Sequence, residues 1–372
     1  MKIADYNNSI VNLSNSILKR FNVNHFHSTI KEIDDLIKNK EKIIVFLFDG
    51  MGKAILEKHL NEKSFFRRHI VKDITSTTPP TTVASTTGFL SAKYPIETGW
   101  LGWTLYFKDL DKNINVFPNV DDDTGEKIAS ENVMRSLKNY EDIASLINKN
   151  NNQECAKIIM GYPVDNNPKV KTLNKFVKYS FDEIKKENQK FIYSYWVNPD
   201  GLMHKYGTKN FRVHFNIKHI QHLLKKYAKK NKDVGVIVIA DHGMIDTTFM
   251  SLKEHEDLSS LLIRSPSIEK RTMNLFVKEG KQDLFKELFN KYYGEYYSLF
   301  TKEEALDKGI FGDTKDVDNS LEFLGDFIAI ANGEISLEYP NEKSKKKRFK
   351  FRAHHAGGTE DESLISVIAI NF

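Results

Sequence analysis

Three aspartates, Asp49, Asp200 and Asp241, each follow a strongly apolar stretch, at 43–48, 191–197 and 234–240. Two of them have histidine nearby, in Asp241-His242-Gly243-Met244 and, at a spacing of four, in Asp200-Gly201-Leu202-Met203-His204. A further source of imidazole lies near the end of the chain, in His354-His355-Ala356-Gly357-Gly358. Carboxylate oxygens mixed with imidazole nitrogens suit zinc, with manganese and iron as close competitors. Three acids and three histidines exceed one tetrahedral shell, so the pattern predicts two divalent ions.

A hydroxyl-rich segment, Ser76-Thr77-Thr78-Pro79-Pro80-Thr81-Thr82-Val83-Ala84-Ser85-Thr86-Thr87-Gly88, is the natural source of a nucleophile. Proline is tolerated in the first turn of a helix and hydroxyls cap its free N–H groups. A helix is therefore expected to start around Pro79 or Pro80, with Thr78 at or near its N-cap. There a hydroxyl feels the positive end of the helix dipole, and adjacent cations lower its pKa further, so Thr78 reads as the nucleophile. The same N-terminus would receive a phosphoryl or sulfuryl oxygen. Two ions ~4 Å apart serve the attacking and leaving oxygens of an in-line displacement, which points to hydrolysis at phosphorus through a phosphothreonine. Alone, each feature has a plainer reading as turn chemistry or capping. Their occurrence together in compatible places favours a site.

The elements that must carry these groups can be read from pattern. Runs this apolar and β-branched read as strands buried on both faces of a parallel sheet, whose ligand crevice lies beyond the strands' carboxyl ends. Further strands are expected at 71–75, 155–160 and 364–370, and Ile10, Leu13, Ile17, Leu18 and Phe21 fall at helical spacing. Gly50-Met51-Gly52 makes a turn into a helix at 53–59. The expected fold is α/β, a mostly parallel central sheet flanked by helices, with a smaller cap. After Met244 the pattern changes: fragments at 274–278 and 327–331 end in no further carboxylate, although His355 is still to come. Residues 1–250 with 345–372 thus read as the catalytic core, and 251–344 as an inserted cap over the site.

Composition narrows the function. The 372 residues carry 55 basic and 50 acidic side chains, a net +5 too small and scattered to announce a stable nucleic-acid partner. It permits an anionic substrate. The basic run at 343–352 reads as a solvated loop or strand edge, placed just ahead of His355 where it could draw in anions. One cysteine, Cys155, excludes an intramolecular disulfide and a cysteine metal cluster, and reads as a small buried hydrophobe. Residues 1–18 are interrupted by Asp and Asn, unlike a signal peptide, and no stretch suits a bilayer, so a cytoplasmic protein without a membrane partner is expected. Oligomeric state is not written in the pattern.

Taken in order, Phe48-Asp49-Gly50-Met51-Gly52, the Thr78-Pro79-Pro80 segment, Pro199-Asp200 with His204 and Gly207, Asp241-His242-Gly243-Met244 and His355-Ala356-Gly357 resemble the alkaline phosphatase superfamily. The resemblance is closest to its type I phosphodiesterase/nucleotide pyrophosphatase branch and runs from about Ile43 onward. It implies one metal held by Asp49, Thr78, Asp241 and His242, and a second held by Asp200, His204 and His355. The branch places its threonine ten residues before a Thr-Gly and two before a proline, which matches Thr78, Pro80 and Thr87-Gly88, with Thr77 as fallback. The activity implied is hydrolysis of phosphate diesters or pyrophosphates of small molecules, a nucleotide among them. A phosphomonoesterase, a phosphonate C–P hydrolase or a sulfatase are alternatives, and a metal-stabilised binder of phosphorylated ligands is the non-enzymatic one. Nucleotide-cleaving members carry an asparagine soon after a His-Gly step, where this chain has Thr98-Gly99-Trp100-Leu101-Gly102-Trp103. Trp103 or Tyr106 is instead a candidate to stack on a base or sugar.

Overall fold

The computed structural model describes residues 1–161, 168–313, 320–340 and 350–372. Residues 343–349 of the basic run fall outside these. At the centre stands a six-stranded sheet in the order Ile70–Thr75, Leu364–Ile370, Val234–Ile239, Lys42–Phe48, Phe191–Trp196, Ala156–Met160. Lys42–Phe48 is parallel to both its neighbours, as is Ala156–Met160 to Phe191–Trp196, whereas Leu364–Ile370 runs antiparallel between its two partners. The expected mostly parallel sheet is present.

Burial on both faces explains why the three inner strands are almost wholly apolar. Successive side chains of a strand point to opposite faces, and the register sets Val45 beside Tyr193 and Phe46 beside Ser194. On one face Phe46 meets Phe176 and Phe181 of the helix Leu173–Ile184. On the other Tyr193 stacks on Phe89 of the helix Thr82–Ser91, at 5.1 Å between ring centroids. Helices Ile10–Arg20 and Ile143–Asn151 join the second of these layers, and Lys53–His59 and Phe211–Lys230 the first. Cys155 is buried, as expected of a small hydrophobe.

Register also decides where the acids lie. Leu47 pairs with Ile239, each two residues ahead of its aspartate, and Phe48 pairs with Trp196. The three adjacent strands therefore finish nearly level, and Asp49, Asp200 and Asp241 leave the same sheet edge.

A second, seven-stranded antiparallel sheet lies beyond that edge, in the order Tyr297–Thr301, Phe327–Ala331, Thr272–Leu275, Ser267–Ile268, Thr104–Phe107, Lys112–Asn115, Val120–Asp121. It has its own apolar core, with Phe285, Phe289 and Tyr293 of the helix Gln282–Tyr293 packed against Leu275 and Phe327. Four strands come from the segment read as the cap and three from 104–121, joined where Ile268 pairs with Thr104. Among the described residues no helix is long and apolar enough to cross a membrane.

The helix expected to start at Pro79 or Pro80 instead begins at Thr82, with Thr81 extended at its N-cap (φ −136°, ψ 150°). A residue before proline is pushed out of the helical region, so Thr78 and Pro79 cannot open a helix.

Candidate active site

The three aspartates meet, and each is held differently. Asp49 accepts a hydrogen bond from the Tyr195 hydroxyl on Oδ2, and its Oδ1 lies 3.4 Å from His242 Nε2. Asp241 Oδ1 accepts from Gly50 N at 3.0 Å and His242 N at 3.1 Å, which leaves Oδ2 buried without a hydrogen bond among the described residues, 3.5 Å from His242 Nε2. Asp200, at the first turn of Asp200–Tyr206, likewise has a buried Oδ1 without a hydrogen-bond partner among the described residues, while Oδ2 lies 3.4 Å from His204 Nε2. The loops carrying Asp49 and Asp241 touch so closely that a Cβ on Gly52 would meet Gly243 Cα at 2.5 Å. Glycine is required at this approach.

The histidines present unprotonated nitrogens to this cluster. His242 Nδ1 is 2.8 Å from Gly243 O, and His204 Nδ1 is 2.8 Å from Ala353 O. A carbonyl only accepts, so each Nδ1 carries the proton and each Nε2 offers a lone pair, the outer-shell arrangement of metal-ligating histidine. His355 stacks on His242 at 3.9 Å. Asp200, His204 and His355 each offer a ligand atom within 4.8 Å of the others', and so do Asp49, Asp200 and His242.

Electrostatics agrees with a cation-binding role. Burial and then the charges of Asp241 and Asp200 raise the Asp49 carboxyl well above the usual range, and burial and then Asp241 do the same to Asp200. Burial lowers His204 to about 4 and pushes His355 well down, so both are neutral imidazoles. Crowded acids beside neutral imidazoles are what divalent cations favour.

Thr78 is not at this cluster, contrary to the expectation for the nucleophile. Its hydroxyl accepts a hydrogen bond from Ala4 N at 2.8 Å, and Thr77 bonds Pro79 O and Ser85. The hydroxyl that reaches the acids is Thr82, at 3.1 Å from His242 Nε2 and 3.5 Å from both oxygens of Asp49. Thr82 opens the helix Thr82–Ser91, so its hydroxyl lies at the positive end of that helix's dipole. No sequence signal singles it out, because the helix it opens ends at Ala92 in the left-handed conformation (φ 56°) without the glycine that usually marks such an end.

Both sheets line the cavity over these groups, of about 580 Å³, with Asp49, Thr82, Asp200, His204 and His355 on one wall and Trp103, Phe117, Ile268, Glu269 and Tyr339 among the others. Trp103 borders this cavity. Tyr106 does not border it: its hydroxyl bonds Asp111 and its ring packs under Arg264. Glu269, which no sequence motif surrounds and which pattern therefore does not single out, accepts hydrogen bonds from Thr81 Oγ1 at 2.6 Å and Trp103 N at 3.0 Å. Burial raises its carboxyl to about 7.

A buried ion pair ties the ligand loops together. Arg271 binds Glu362 through Nε at 2.7 Å and Nη2 at 2.9 Å and also donates to the carbonyls of Gly333 and Ile335. Glu362 in turn accepts from Gly357 N in the His355 loop, and its backbone carbonyl accepts from Gly243 N in the His242 loop. One residue thus fixes both histidine loops, and its partner anchors them to the second sheet.

Against known proteins, the family described as type I phosphodiesterase / nucleotide pyrophosphatase matches residues 43–356. No curated protein matches the chain in sequence. Among solved structures, murine ectonucleotide pyrophosphatase/phosphodiesterase 5, in an inactive threonine-to-alanine form with AMP, is similar at a TM-score of 0.63 and 15% identity over 89% of this chain and 88% of its own. The human protein of that name aligns at 0.62 and 16% over 89% and 90%. Phosphonoacetate hydrolase from Sinorhizobium meliloti 1021 in complex with phosphonoformate aligns at 0.64 and 11% over 89% and 90%. At these identities the likeness shows the fold.

Proposed function

We propose, since the chain belongs to the type I phosphodiesterase / nucleotide pyrophosphatase family, that it is a divalent-metal-dependent hydrolase of phosphate diesters or pyrophosphates with Thr82 as nucleophile. One observation carries the reading: the Thr82 hydroxyl, at a helix N-terminus, lies 3.5 Å from Asp49 and 3.1 Å from His242. The inactive threonine-to-alanine form of the murine protein supports a threonine in this role.

The residues present fit metal ions. Asp200 Oδ1 and Asp241 Oδ2 are buried acceptors without hydrogen bonds among the described residues, and the histidine Nε2 atoms face the same acids. Asp49, Thr82, Asp241 and His242 would hold one ion, and Asp200, His204 and His355 a second. The donor set suits zinc. Bound there, the ions supply positive charge that lowers the hydroxyl pKa and neutralises oxygens at phosphorus.

The chain's own contribution is attack and placement. Thr82 Oγ1 forms a bond to phosphorus as the leaving oxygen departs, and water then cleaves the phosphothreonine. Two inversions give net retention. Free N–H groups at the start of Thr82–Ser91 receive phosphoryl oxygens, and Trp103 offers an aromatic face to the leaving group. The AMP bound by the murine protein supports a nucleotide as one substrate. Lys270, a cation bordering the cavity, is ion-paired with Glu338, which disfavours a carboxylate-bearing phosphonate.

The test is turnover of bis(4-nitrophenyl) phosphate and of nucleotide pyrophosphates by zinc-loaded wild type, Thr82→Ala and Thr78→Ala. Wild type and Thr78→Ala should turn over and Thr82→Ala should be nearly inert. Wild-type turnover by Thr82→Ala refutes the nucleophile.

A further inference from the structure

We infer that the outer face of the helix Phe211–Lys230 is a docking surface for an anionic lipid bilayer, on which the protein rests with Phe211 and Phe215 inserted among the headgroups. The inference is independent of which threonine attacks phosphorus.

Residues 201–232 hold nine lysines and arginines and no aspartate or glutamate. Folding sorts the helix into two faces. Val213, Ile217, Ile220, Leu223, Leu224 and Ala228 are buried in the core. The ten exposed side chains are two phenylalanines, two histidines, one arginine and five lysines, so that face is wholly basic or aromatic. Lys225 stands four residues from Lys229, and Lys226 from Lys230, a spacing at which like charges destabilise a helix. Folding therefore gives no reason for this composition, whereas an external anionic partner does.

Neighbouring elements do not neutralise the face. The loop at 61–69 is tied to the helix, since Gln221 Oε1 accepts from Phe66 N at 2.9 Å and Lys225 lies 5.6 Å over the Phe65 ring. It adds exposed Lys63 and Arg68 beside exposed Glu62, and Glu57 on the preceding helix is paired with Arg67 at 3.5 Å. The helix Leu173–Ile184 also packs against Phe211–Lys230, and its Asp182 is paired with Lys178.

The placement of the aromatic rings selects a bilayer among anionic partners. Phe211 and Phe215 are 59% and 64% exposed and meet edge to face at 6.3 Å, with Arg212 over the Phe211 ring. Both stand in the first turns of a 20-residue helix whose later exposed positions are all basic. Aromatic side chains beside a row of cations suit the boundary between headgroups and acyl chains, where rings insert and cations meet lipid phosphates. Single-stranded nucleic acid instead requires a groove with rings spaced along it, and a helix face is convex. The inserted end is also the one joined to the site: four residues separate Phe211 from Tyr206, which ends the helix carrying Asp200 and His204. Docking there concentrates the enzyme at a surface rich in phosphate esters.

The experiment sediments the full zinc-loaded chain with vesicles of phosphatidylcholine alone or with about 30 mol% phosphatidylserine, at about 0.1 M and about 0.5 M salt. Wild type should bind the anionic vesicles only and lose about tenfold in affinity at the higher salt. The triple variant Lys218→Gln, Lys226→Gln, Lys229→Gln should lose about 100-fold, at about fivefold per cation. The double variant Phe211→Ser, Phe215→Ser should lose about tenfold and keep its salt dependence. None of these five side chains borders the cavity, so both variants should turn over bis(4-nitrophenyl) phosphate as wild type does. Wild type that ignores anionic vesicles, or a triple variant that binds them as wild type does, overturns the docking surface. A double variant as tight as wild type overturns the insertion of the phenylalanines. An oligonucleotide that displaces the protein from the vesicles at lower concentration than the lipid present assigns the face to nucleic acid and overturns the bilayer.

Discussion

Thr78 and Thr82 stand four residues apart, and their different fates show how far residue-level reasoning reaches. The need for a hydroxyl at a helix start beside strand-end acids was legible, as were the acids and histidines that converge. The choice of hydroxyl was not, because Thr87-Gly88 resembles a helix end yet lies within Thr82–Ser91. Gly88 is small for another reason: a Cβ there would press on Val11 of the neighbouring helix at 3.1 Å. Thr82→Ala should therefore reduce kcat by about 1,000-fold or more. Thr78→Ala should leave kcat near wild type and cost about 1 kcal/mol in denaturant unfolding, through loss of the bond from Ala4 N. Glu269 gives a pH test of its own. Its folded pKa of about 7 lies above the ~4.3 of an unfolded glutamate, so the folded protein binds this proton more tightly. Its contribution to stability is full below about pH 4 and is lost as pH rises through 7. Glu269→Gln should consequently melt higher than wild type at pH 8, with the difference shrinking toward pH 4. An unchanged difference across that range would contradict a proton on Glu269.

At the scale of elements, strands that end in acids could be read directly because a doubly buried parallel strand is apolar along its whole length. The strand Leu364–Ile370 and the helix Lys53–His59 match their expected bounds for the same reason, a clear pattern over a full element. The strands at 104–121 could not be read. They are short and partly polar, as in Lys112–Asn115, and are joined to the rest of their sheet through a pairing of Thr104 with the distant Ile268. The Arg271–Glu362 pair was equally hidden, since its members are 91 residues apart. Its loss should act on elements rather than on chemistry alone. Arg271→Met strands the Glu362 carboxylate in a fully buried site, at a cost of about 3–5 kcal/mol. Chemical denaturation should show that loss, and zinc titration should show weakened binding, because the His242 and His355 loops lose their shared anchor. A variant as stable and as tight for zinc as wild type would remove the pair from that role.

For the whole molecule, the arrangement is a parallel sheet that gathers ligands at one edge and an antiparallel sheet that closes the space above it. Asp49 and Asp200, both raised by burial and then by the charge of Asp241, mark a fold that is costly without cations. Chelation should therefore lower the melting temperature and added zinc restore it, since a ligand at about 100 times its Kd contributes about 2.7 kcal/mol. A melting temperature indifferent to chelator and zinc would contradict this coupling. The most direct measurement is a crystal structure of the zinc-soaked protein with anomalous scattering at the zinc edge. Two peaks are expected, one ringed by Asp49, Thr82, Asp241 and His242 and the other by Asp200, His204 and His355. Zinc bound elsewhere, or a Thr82 hydroxyl turned away from the ion beside Asp49, would contradict it.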